Sequence, residues 1–568
     1  MLREDLRIRL GTHQDLVDRG LEELRDKSIV ERIVSRDYTV WKREDTEITS
    51  RLGWLDSPAV MMKEIGRIEK DGEGLVEEGY TDAVILGMGG SVLAPEVIGR
   101  TMGFREGFLT LSILDSTDPA AVRSLAGRLD PAKTLFIVSS KSGTTVETLS
   151  FFNYFYNWIS DAVGVQAAGR HFVAITDPGS LLADLARRCS FRSTYLNDPA
   201  VGGRYSALSY FGLVPAAFAG ADARFFLNRS LSMERGCLKN HMSSPATDTC
   251  VLLGTTLGVL AASGRDKLTI ITSPQIQGIV DWIEQLIAES TGKEGKGIFP
   301  VVHEPPGIPA VYGNDRVFLG IFLEWDHSWN SGMLTELEAQ GHPVVYLFMR
   351  DLYDLGRQFL LWEIATAVAG YFLGINPFDQ PDVEISKQKT RRMLDEFREK
   401  KTLPAETPDL VLDGISLFGT HSGETLADAM GEFLAQCQSG GYVALQAFVK
   451  PSPEVDRALA DLRVRIRDRY RVATSAGYGP RYLHSTGQLH KGDAGRGLFI
   501  QITCEELLDV PIPDEAGSCR SSVTFGILKA AQAMGDRQAL LDRGRKVIRL
   551  HFERDVAGGL RELTKAVS

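Results

Sequence analysis

The part of this sequence best suited to chemistry is a run of hydroxyl residues, Ser140-Lys-Ser-Gly-Thr-Thr145, which we call the hydroxyl turn. It follows an apolar run at residues 134–138 and precedes a segment with the pattern of a helix. Hydroxyl groups and free backbone N–H groups at a strand-to-helix turn bind anions, because the positive end of the helix dipole points into the turn. The first hypothesis is therefore a site for a short anionic ligand, and the alternative is an ordinary helix cap.

A second turn upstream favours ligand binding over capping. Residues 81–86 have the pattern of a buried strand, and Gly87-Met-Gly-Gly-Ser91, which we call the glycine turn, leads from it into a helix that begins near Val92. Two such turns in successive strand–helix units can face one ligand. We expect Gly90 and Ser91 to lie beside the hydroxyl turn.

The sequence contains no complete nucleotide-binding motif. The glycine turn lacks the third glycine of the dinucleotide fingerprint, because Val92 occupies that position. Asp115 could imitate the acid that binds a ribose, so a nucleotide-linked enzyme stays as an alternative. Gly292-Lys-Glu-Gly-Lys-Gly297 lacks the Gly-Lys-Ser/Thr ending of a P-loop. We predict no cofactor and no metal ion.

Length and composition set the class of protein. A chain of 568 residues is too long for one ordinary domain. With 43% hydrophobic and 24% charged residues it has the composition of a globular protein. Its formal net charge of −11 argues against nucleic acid or an acidic membrane as the main partner.

The first ten residues and the cysteines indicate the compartment. The start of the chain is charged throughout and lacks the apolar core of a secretory signal, and no apolar run approaches the length that spans a membrane. The six cysteines are scattered without a Cys-x-x-Cys pair, which favours reduced thiols over a disulfide framework or a zinc site. We expect a cytoplasmic protein.

The pattern of apolar residues predicts an α/β protein. We expect a helical segment at 1–75, two α/β domains with parallel sheets at 76–225 and 226–402, and a further C-terminal α/β domain at 403–568. A long helix is predicted at 352–374, and the charged stretch 387–401 is predicted to be a linker. The predicted strands are 83–86, 109–114, 135–138, 172–175, 267–272, 301–303, 317–322, 344–348, 414–418, 442–448, 497–502 and 546–550.

Five motifs in this chain together resemble a known family. They are the glycine turn, Ser140-Lys-Ser-Gly-Thr-Thr-Val-Glu-Thr148, Val201-Gly-Gly-Arg-Tyr-Ser206, Gln285-Leu-Ile-Ala-Glu-Ser-Thr-Gly-Lys293 and Asn376-Pro-Phe-Asp-Gln-Pro-Asp-Val-Glu-Ile-Ser-Lys-Gln388. In this order they are similar to the motifs of phosphoglucose isomerase, with spellings closest to the isomerase half of bifunctional transaldolase/phosphoglucose isomerase proteins. No segment of transaldolase length precedes the match, so we expect isomerase activity only.

The resemblance implies both a fold and a reaction. The fold would be sugar-isomerase (SIS) type parallel-sheet domains with flanking helices, and the reaction the interconversion of glucose 6-phosphate and fructose 6-phosphate. Moving a carbonyl between C1 and C2 needs a phosphate anchor, a group that opens the sugar ring, a base, and a cation beside the enediolate. We predict that the substrate is bound by Gly90, Ser91, Ser140, Lys141, Ser142, Thr145 and Gln285.

Two residues of these motifs fit the roles of base and cation. Gln285 and Glu289 are four residues apart and share one helical face, so both can point into the site, and we predict Glu289 as the general base. Arg204 follows two glycines that let the backbone approach a ligand, and the resemblance places its permanent charge beside the enediolate. The alternatives are a solvated surface glutamate and an arginine in a structural ion pair.

Ring opening is assigned to a lysine and a histidine. The resemblance implies that Lys387 is the lysine that helps to open the sugar ring. The family also uses a histidine from a Gly-Gln-His segment between its glutamate and lysine motifs, usually donated by the partner subunit, but no histidine between Glu289 and Lys387 follows Gly-Gln. The nearest spelling is Gly487-Gln-Leu-His490. We predict His490 as the acid/base partner of Lys387, with His484 as the substitute, acting within one chain or across a homodimer.

Two further alternatives concern the function itself. A non-catalytic sugar-phosphate-binding protein would keep the hydroxyl turn and have no need for the pair Gln285 and Glu289. An isomerase could also accept other hexose 6-phosphates such as mannose 6-phosphate, because epimers differ by a single hydroxyl group.

Overall fold

The computed structural model describes residues 5–239, 248–326, 332–419 and 423–567. Helices alternate with strands along the chain, and three large sheets form within the described residues, which confirms the α/β class. We use first, second and third domain for the parts of the chain built around these three sheets, in chain order.

The first sheet is parallel throughout. Its strands, in spatial order, are Thr110–Leu114, Asp82–Gly87, Thr134–Ser139, Phe172–Thr176 and Ser193–Leu196. Alternate residues of the central strands enter two different apolar clusters, one on each face of the sheet. Burial on both faces explains why these strands are continuous apolar runs in the sequence.

The second sheet contains a strand from the very start of the described chain. Its order is Leu6–Arg9, Val344–Met349, Arg316–Leu323, Lys267–Thr272 and Phe299–Val301. Leu6–Arg9 pairs antiparallel with Val344–Met349 and the other neighbours are parallel. The expectation of a purely helical start is therefore wrong at this point, because a short edge strand has too few residues to show a period.

The third sheet is mixed. Its order is Leu410–Leu412, Ile415–Phe418, Lys546–Phe552, Gly497–Cys504, Tyr442–Phe448 and Ala473–Tyr478, and the first three strands pair antiparallel. A two-stranded ribbon, Pro511–Ile512 with Val523–Thr524, lies against helix Val146–Val163 of the first domain. Each strand predicted from the sequence overlaps an observed strand.

Helices cover the sheets and connect the domains. The α-helices are Gln14–Asp26, Ile29–Val34, Ser57–Glu77, Leu93–Met102, Pro119–Ala126, Val146–Val163, Val165–Ala168, Leu181–Arg188, Tyr210–Phe218, Ala223–Glu234, Thr249–Ala262, Ile279–Thr291, Gly332–Ala339, Leu355–Leu373, Val383–Lys400, Leu426–Leu434, Pro453–Tyr470, Gly487–Gly492, Phe525–Asp542 and Val556–Ala566. The predicted long helix is Leu355–Leu373, preceded by one 3-10 turn. No helix in the described ranges is long and apolar enough to cross a membrane.

The charged stretch 387–401 is part of a helix rather than a linker. Helix Val383–Lys400 packs against Phe525–Asp542 of the third domain. Its buried residues, among them Val383, Thr390 and Leu394, recur at helical spacing between the charges. A stretch rich in Lys, Arg and Glu forms a stable helix when such a stripe is buried.

The cysteines require a correction. Cys237 and Cys250 form a disulfide, although the scattered cysteines were expected to be reduced. Both are buried, one just beyond helix Ala223–Glu234 and the other in the first turn of Thr249–Ala262, so the folded helices bring them together. Cys189, Cys437, Cys504 and Cys519 are free.

A buried ion cluster joins the second and third domains. Glu304 lies 3.2 Å from Arg316, both in the second domain, and 3.8 Å from Arg467 on helix Pro453–Tyr470 of the third. The three side chains are at most 2% exposed. A buried charge that loses its partner is costly, because no water replaces the lost interaction.

We therefore expect Glu304→Gln to destabilise the protein strongly. Two guanidinium groups would stay buried beside a neutral amide, and the free energy of unfolding should fall by about 3–5 kcal/mol, measured by urea denaturation. Glu454→Gln is the matched control, because its ion pair with Arg457 is exposed and it should leave the transition unchanged. An equal response of both variants would contradict the assigned role of Glu304.

Candidate active site

A cavity of about 540 Å³ lies where the carboxyl ends of the first sheet meet the second and third domains. We call it the central cavity. The structure brings together along its walls the predicted site residues Gly90, Ser91, Lys141, Ser142, Thr145, Arg204, Gln285, Glu289 and Lys387. Ser140 and His490 do not line it. Side chains that are hundreds of residues apart in the sequence thus line the same cavity.

The hydroxyl turn follows strand Thr134–Ser139 and precedes helix Val146–Val163, as the sequence predicts. Ser140 Oγ accepts a hydrogen bond from the Gly143 N–H at 3.2 Å and lies 3.2 Å from Thr145 Oγ1, so it shapes the turn from within. Gly143 has φ +68°, and a Cβ there would also collide with Leu182. Thr145 makes no side-chain cap to the helix, so its hydroxyl does not compete with an anion for the first N–H groups.

The side chain of Lys141 is engaged within the protein. Its ammonium group donates to Asp177 Oδ2 at 2.5 Å and to the carbonyl oxygen of Pro199 at 2.8 Å. Arg51, from the N-terminal segment, lines the same part of the cavity and was not identified from the sequence, because nothing in its local pattern distinguishes it. Two cations therefore line the cavity near the hydroxyl turn, and each is paired with a carboxylate, Lys141 with Asp177 and Arg51 with Glu47.

The glycine turn touches the backbone before Arg204. A Cβ on residue 90 would overlap the carbonyl oxygen of Gly203 and lie 2.9 Å from the backbone nitrogen of Arg204. Ser206 Oγ lies within hydrogen-bond distance of the Gly90 and Gly203 carbonyl oxygens. Glycine at 90 is thus required for two segments of the first domain to meet at the cavity.

Arg204 is 2% exposed and every part of its guanidinium group is occupied. Its hydrogen-bond acceptors are Ser290 Oγ at 2.7 Å, Gln380 Oε1 at 2.7 Å and the carbonyl oxygens of Pro377 at 2.8 Å and Asp379 at 2.9 Å, and it forms an ion pair with the Glu289 carboxylate at 3.2 Å. The group is therefore held rigidly, with its charge beside the proposed base.

Glu289 and Gln285 lie on the cavity side of helix Ile279–Thr291, as their spacing predicts. Gln285 Nε2 donates to Glu289 Oε2 at 3.0 Å and to the backbone oxygen of His484 at 2.8 Å. Glu289 is 8% exposed, so its carboxylate is buried between a guanidinium and an amide. A buried carboxylate with one face toward a polar cavity is placed to accept a proton from a bound molecule.

Lys293 lies close to Arg204 and Glu289. Its ammonium group donates to Asp379 Oδ1 at 2.7 Å and to the Asp379 carbonyl oxygen at 2.6 Å, which steadies the loop that holds Arg204. Burial, together with the nearby charge of Arg204, lowers the pKa of Lys293 to about 8.

His484 reaches the cavity from the third domain. It ends the 3-10 turn Arg481–His484 and its Nε2 lies 3.0 Å from Glu147 Oε1. Burial alone would raise the pKa of Glu147, but the charge and hydrogen bond of His484 hold the pKa below its ordinary value. Glu147 is buried and lines the cavity.

The structure places His490 away from the cavity. It is 2% exposed, packs against the rings of Tyr442, Tyr482 and Phe499, and lies 3.3 Å from Gln446. Burial, with the charges of Lys491 and Arg545, holds the pKa of His490 well below its ordinary value. The sequence Gly-Gln-Leu-His thus lies in a short buried helix. The histidine that lines the cavity is His484, which we named as the substitute for His490.

Lys387 lies on the cavity face of helix Val383–Lys400, with its side chain 43% exposed. Gln380 and Gln532 also line the cavity and were not assigned from the sequence. Gln380 lies within the late lysine motif, which was a usable signal. Gln532 comes from the third domain, and no local motif marks it.

One group of side chains near the disulfide could ligate a metal if the thiols were reduced. Asp248 lies beside Cys237 and Cys250, with the ligand atoms of all three within 4.8 Å of one another. Burial raises the pKa of Asp248 to about 6. None of the three lines the central cavity.

The parallel first sheet, the hydroxyl turn at its carboxyl edge, and a buried carboxylate–guanidinium pair across the same cavity are typical of the sugar-isomerase class. Comparison with known proteins agrees. A family model described as phosphoglucose isomerase matches residues 59–299. A glucose-6-phosphate isomerase of Thermus thermophilus is 30% identical over 443 residues, covering 69% of this chain and 100% of that protein. The chain therefore belongs to the phosphoglucose isomerase family.

Other relatives and solved structures are consistent with this assignment. The glucose-6-phosphate isomerase of Symbiobacterium thermophilum is 28% identical over 393 residues, 60% of this chain and 86% of that one. A hypothetical protein of Thermus thermophilus superimposes with a TM-score of 0.56 at 25% identity, covering 68% of this chain and 99% of that one. A glucose-6-phosphate isomerase from Chlamydia trachomatis shares the fold, with a TM-score of 0.54, 18% identity, and coverage of 67% and 86%.

The contact between the glycine turn and Gly203 generates a prediction. Gly90→Ala should force the two backbone segments apart, lower the free energy of unfolding by about 1–3 kcal/mol, and weaken the binding of inorganic phosphate measured by calorimetry. Gly74→Ala is the control, because nothing lies within 4 Å of a Cβ at that helical position and alanine should stabilise slightly. If Gly90→Ala kept the stability and phosphate affinity of the parent, the close contact with Gly203 would have no role at the site.

Proposed function

We propose that this protein interconverts glucose 6-phosphate and fructose 6-phosphate. The observation that carries the proposal is the Glu289 carboxylate, held between Arg204 and Gln285 in the same cavity as the hydroxyl turn. A base, a fixed cation and an anion anchor in one enclosure are what an aldose–ketose isomerisation needs. The curated relatives carry the name of this activity.

The substrate phosphate is assigned to the hydroxyl turn. The uncapped N-terminus of helix Val146–Val163 supplies backbone N–H groups, and Ser142, Thr145 and Ser91 supply hydroxyl donors. Ser140 supports this anchor by shaping the turn. Lys141 contributes its backbone, and its charge is balanced by Asp177.

Ring opening is assigned to His484 and Lys387. A proton leaves the hydroxyl on C1 and one is added to the ring oxygen as the C1–O5 bond breaks and a carbonyl forms at C1. The imidazole of His484 can carry this proton, and the ammonium group of Lys387 can stabilise charge on oxygen. We therefore assign to His484 the role that the sequence suggested for His490.

The proton transfer itself is assigned to Glu289. The carboxylate takes the proton from C2 of the open aldose, and the electrons move onto the oxygen at C1 to give an enediolate. The hydroxyl proton on the C2 oxygen passes to the C1 oxygen, and protonated Glu289 then returns its proton to C1, which leaves a hydroxyl at C1 and a carbonyl at C2. The Arg204 guanidinium is already in place and charged, so it stabilises the enediolate without reorganisation.

Two alternatives to this proposal concern the range of substrates and whether the protein is catalytic. Mannose 6-phosphate differs from glucose 6-phosphate at C2, the carbon whose proton Glu289 would take, so both epimers lead to one enediolate and an isomerase of broader specificity is the second candidate. A non-catalytic sugar-phosphate-binding protein would have no use for the buried pair of Arg204 and Glu289.

Glu289→Gln should abolish isomerisation while leaving the site intact. The amide keeps the shape and cannot take a proton, so kcat should fall by about 100-fold to 10,000-fold in a coupled assay on fructose 6-phosphate. Glu284→Gln, on the same helix but facing a neighbouring cavity, is the control and should keep full activity.

Three outcomes separate the candidates. Full activity of Glu289→Gln would overturn the mechanism. A parent chain that binds fructose 6-phosphate but does not turn it over would support the non-catalytic alternative. Turnover of mannose 6-phosphate at a comparable rate would support the broader isomerase.

Since His484 and Glu289 line the same cavity within one chain, we propose that the site works without a residue from a second subunit. We expect the specific activity to stay constant on dilution from micromolar to nanomolar protein, with the mass monitored by light scattering at the upper end. A loss of activity that tracks dissociation of a homodimer would show that a partner completes the site.

A further inference from the structure

Gln532 belongs to the third domain, yet its side chain is buried against the first. It lies on helix Phe525–Asp542 and is 1% exposed. Its Nε2 donates to Glu147 Oε1 at 2.8 Å. A buried amide in contact with a carboxylate of another domain is a specific interaction, because each group would be costly to bury alone.

Thr117 binds the other end of this amide, and the Glu147 carboxylate determines which way the amide points. Thr117 Oγ1 donates to Gln532 Oε1 at 2.8 Å, and Thr117 is 0% exposed. With the amide reversed, its carbonyl oxygen would face the Glu147 carboxylate and the two oxygens would repel. The N–H group is therefore directed at Glu147.

Glu147 Oε1 has a second hydrogen-bond partner, the Nε2 atom of His484 at 3.0 Å. A carboxylate at Nε2 favours the imidazole form that carries its proton there, which leaves Nδ1 as the atom that can exchange a proton with a bound molecule. Among the described residues, none hydrogen-bonds to Nδ1 of His484. Thr117, Gln532, Glu147 and His484 thus form a chain of hydrogen bonds that ends at the central cavity.

The helix that carries Gln532 is anchored independently. Lys529, one turn earlier, donates to Asp118 Oδ2 at 2.8 Å, and both side chains are at most 5% exposed. The rings of Phe525 and Phe151 stack with centroids 5.8 Å apart. Since these contacts hold the helix on the first domain, the position of Gln532 relative to Glu147 does not depend on its own hydrogen bond.

We propose that Gln532 is a positioning residue for ring opening, acting through Glu147 to hold the imidazole of His484 in one orientation and one tautomer. This inference rests on the proposed isomerase function and deepens it. Glu289 is linked through Gln285 to the backbone oxygen of His484 and not to its imidazole, and the side chains of the hydroxyl turn are not members of the chain of hydrogen bonds. The proposal therefore separates ring opening from phosphate binding and from proton transfer at C2.

The test compares Gln532→Leu with Gln538→Leu on the same helix, where Gln538 is exposed and bonds only to Asp542 among described residues. Each variant is assayed with glucose 6-phosphate carrying hydrogen or deuterium at C2. In Gln532→Leu we expect kcat to fall about tenfold, KM to change less than twofold, and the C2 isotope effect on kcat to fall toward one, because ring opening becomes slower than proton transfer. Gln538→Leu should match the parent.

A second variant covers the case in which Gln532→Leu folds poorly. Thr117→Val removes the hydroxyl that binds the amide oxygen of Gln532, and it should change kcat and the isotope effect in the same direction by a smaller factor. A fall in kcat with an unchanged isotope effect would overturn the proposal, as would a Gln532→Leu enzyme that behaves like Gln538→Leu. A parent chain without turnover would overturn the proposed function as well, so the two failures are distinguishable.

Discussion

The buried guanidinium group of Arg204 is the constraint on which the site depends. A charge that cannot be neutralised by losing a proton is held at 2% exposure, and such burial is tolerable only when every donor finds an acceptor. The acceptors come from helix Ile279–Thr291 and from the loop at 377–380, so the first and second domains are joined at this point. The same contacts place the charge beside Glu289 before any substrate arrives.

Preorganisation explains why so many polar groups are buried at the junction. Gln285 links Glu289 to the backbone of His484, and Lys293 secures the loop that holds Arg204. The hydrogen bonds among these groups keep them in fixed positions around the cavity. In a catalytic cavity, fixed donors and charges stabilise a developing anion without the cost of reorienting water.

The third domain brings the side chain of a histidine to the central cavity. Its turn Arg481–His484 carries the imidazole, and Arg481 itself binds Glu96 and lies 2.8 Å from Asp115 of the first domain. Family resemblance suggested a histidine from a partner subunit, and here a domain of the same chain brings one to the cavity. The buried cluster around Glu304 and the contacts of helix Phe525–Asp542 hold that domain in place.

Features that depend only on neighbouring residues could be predicted from the sequence. The hydroxyl and glycine turns, the central strands and the shared face of Gln285 and Glu289 were predicted because strand and helix periods and turn chemistry are local properties. Choices between similar local patterns were decided only by tertiary structure. The cavity is lined by His484 rather than His490, and also by Arg51 and Gln532. The stretch 387–400 is a packed helix rather than a linker. Cys237 forms a disulfide with Cys250. These outcomes depend on how separate domains dock, and docking is set by burial and charge pairing between residues far apart in the chain, which no local pattern records.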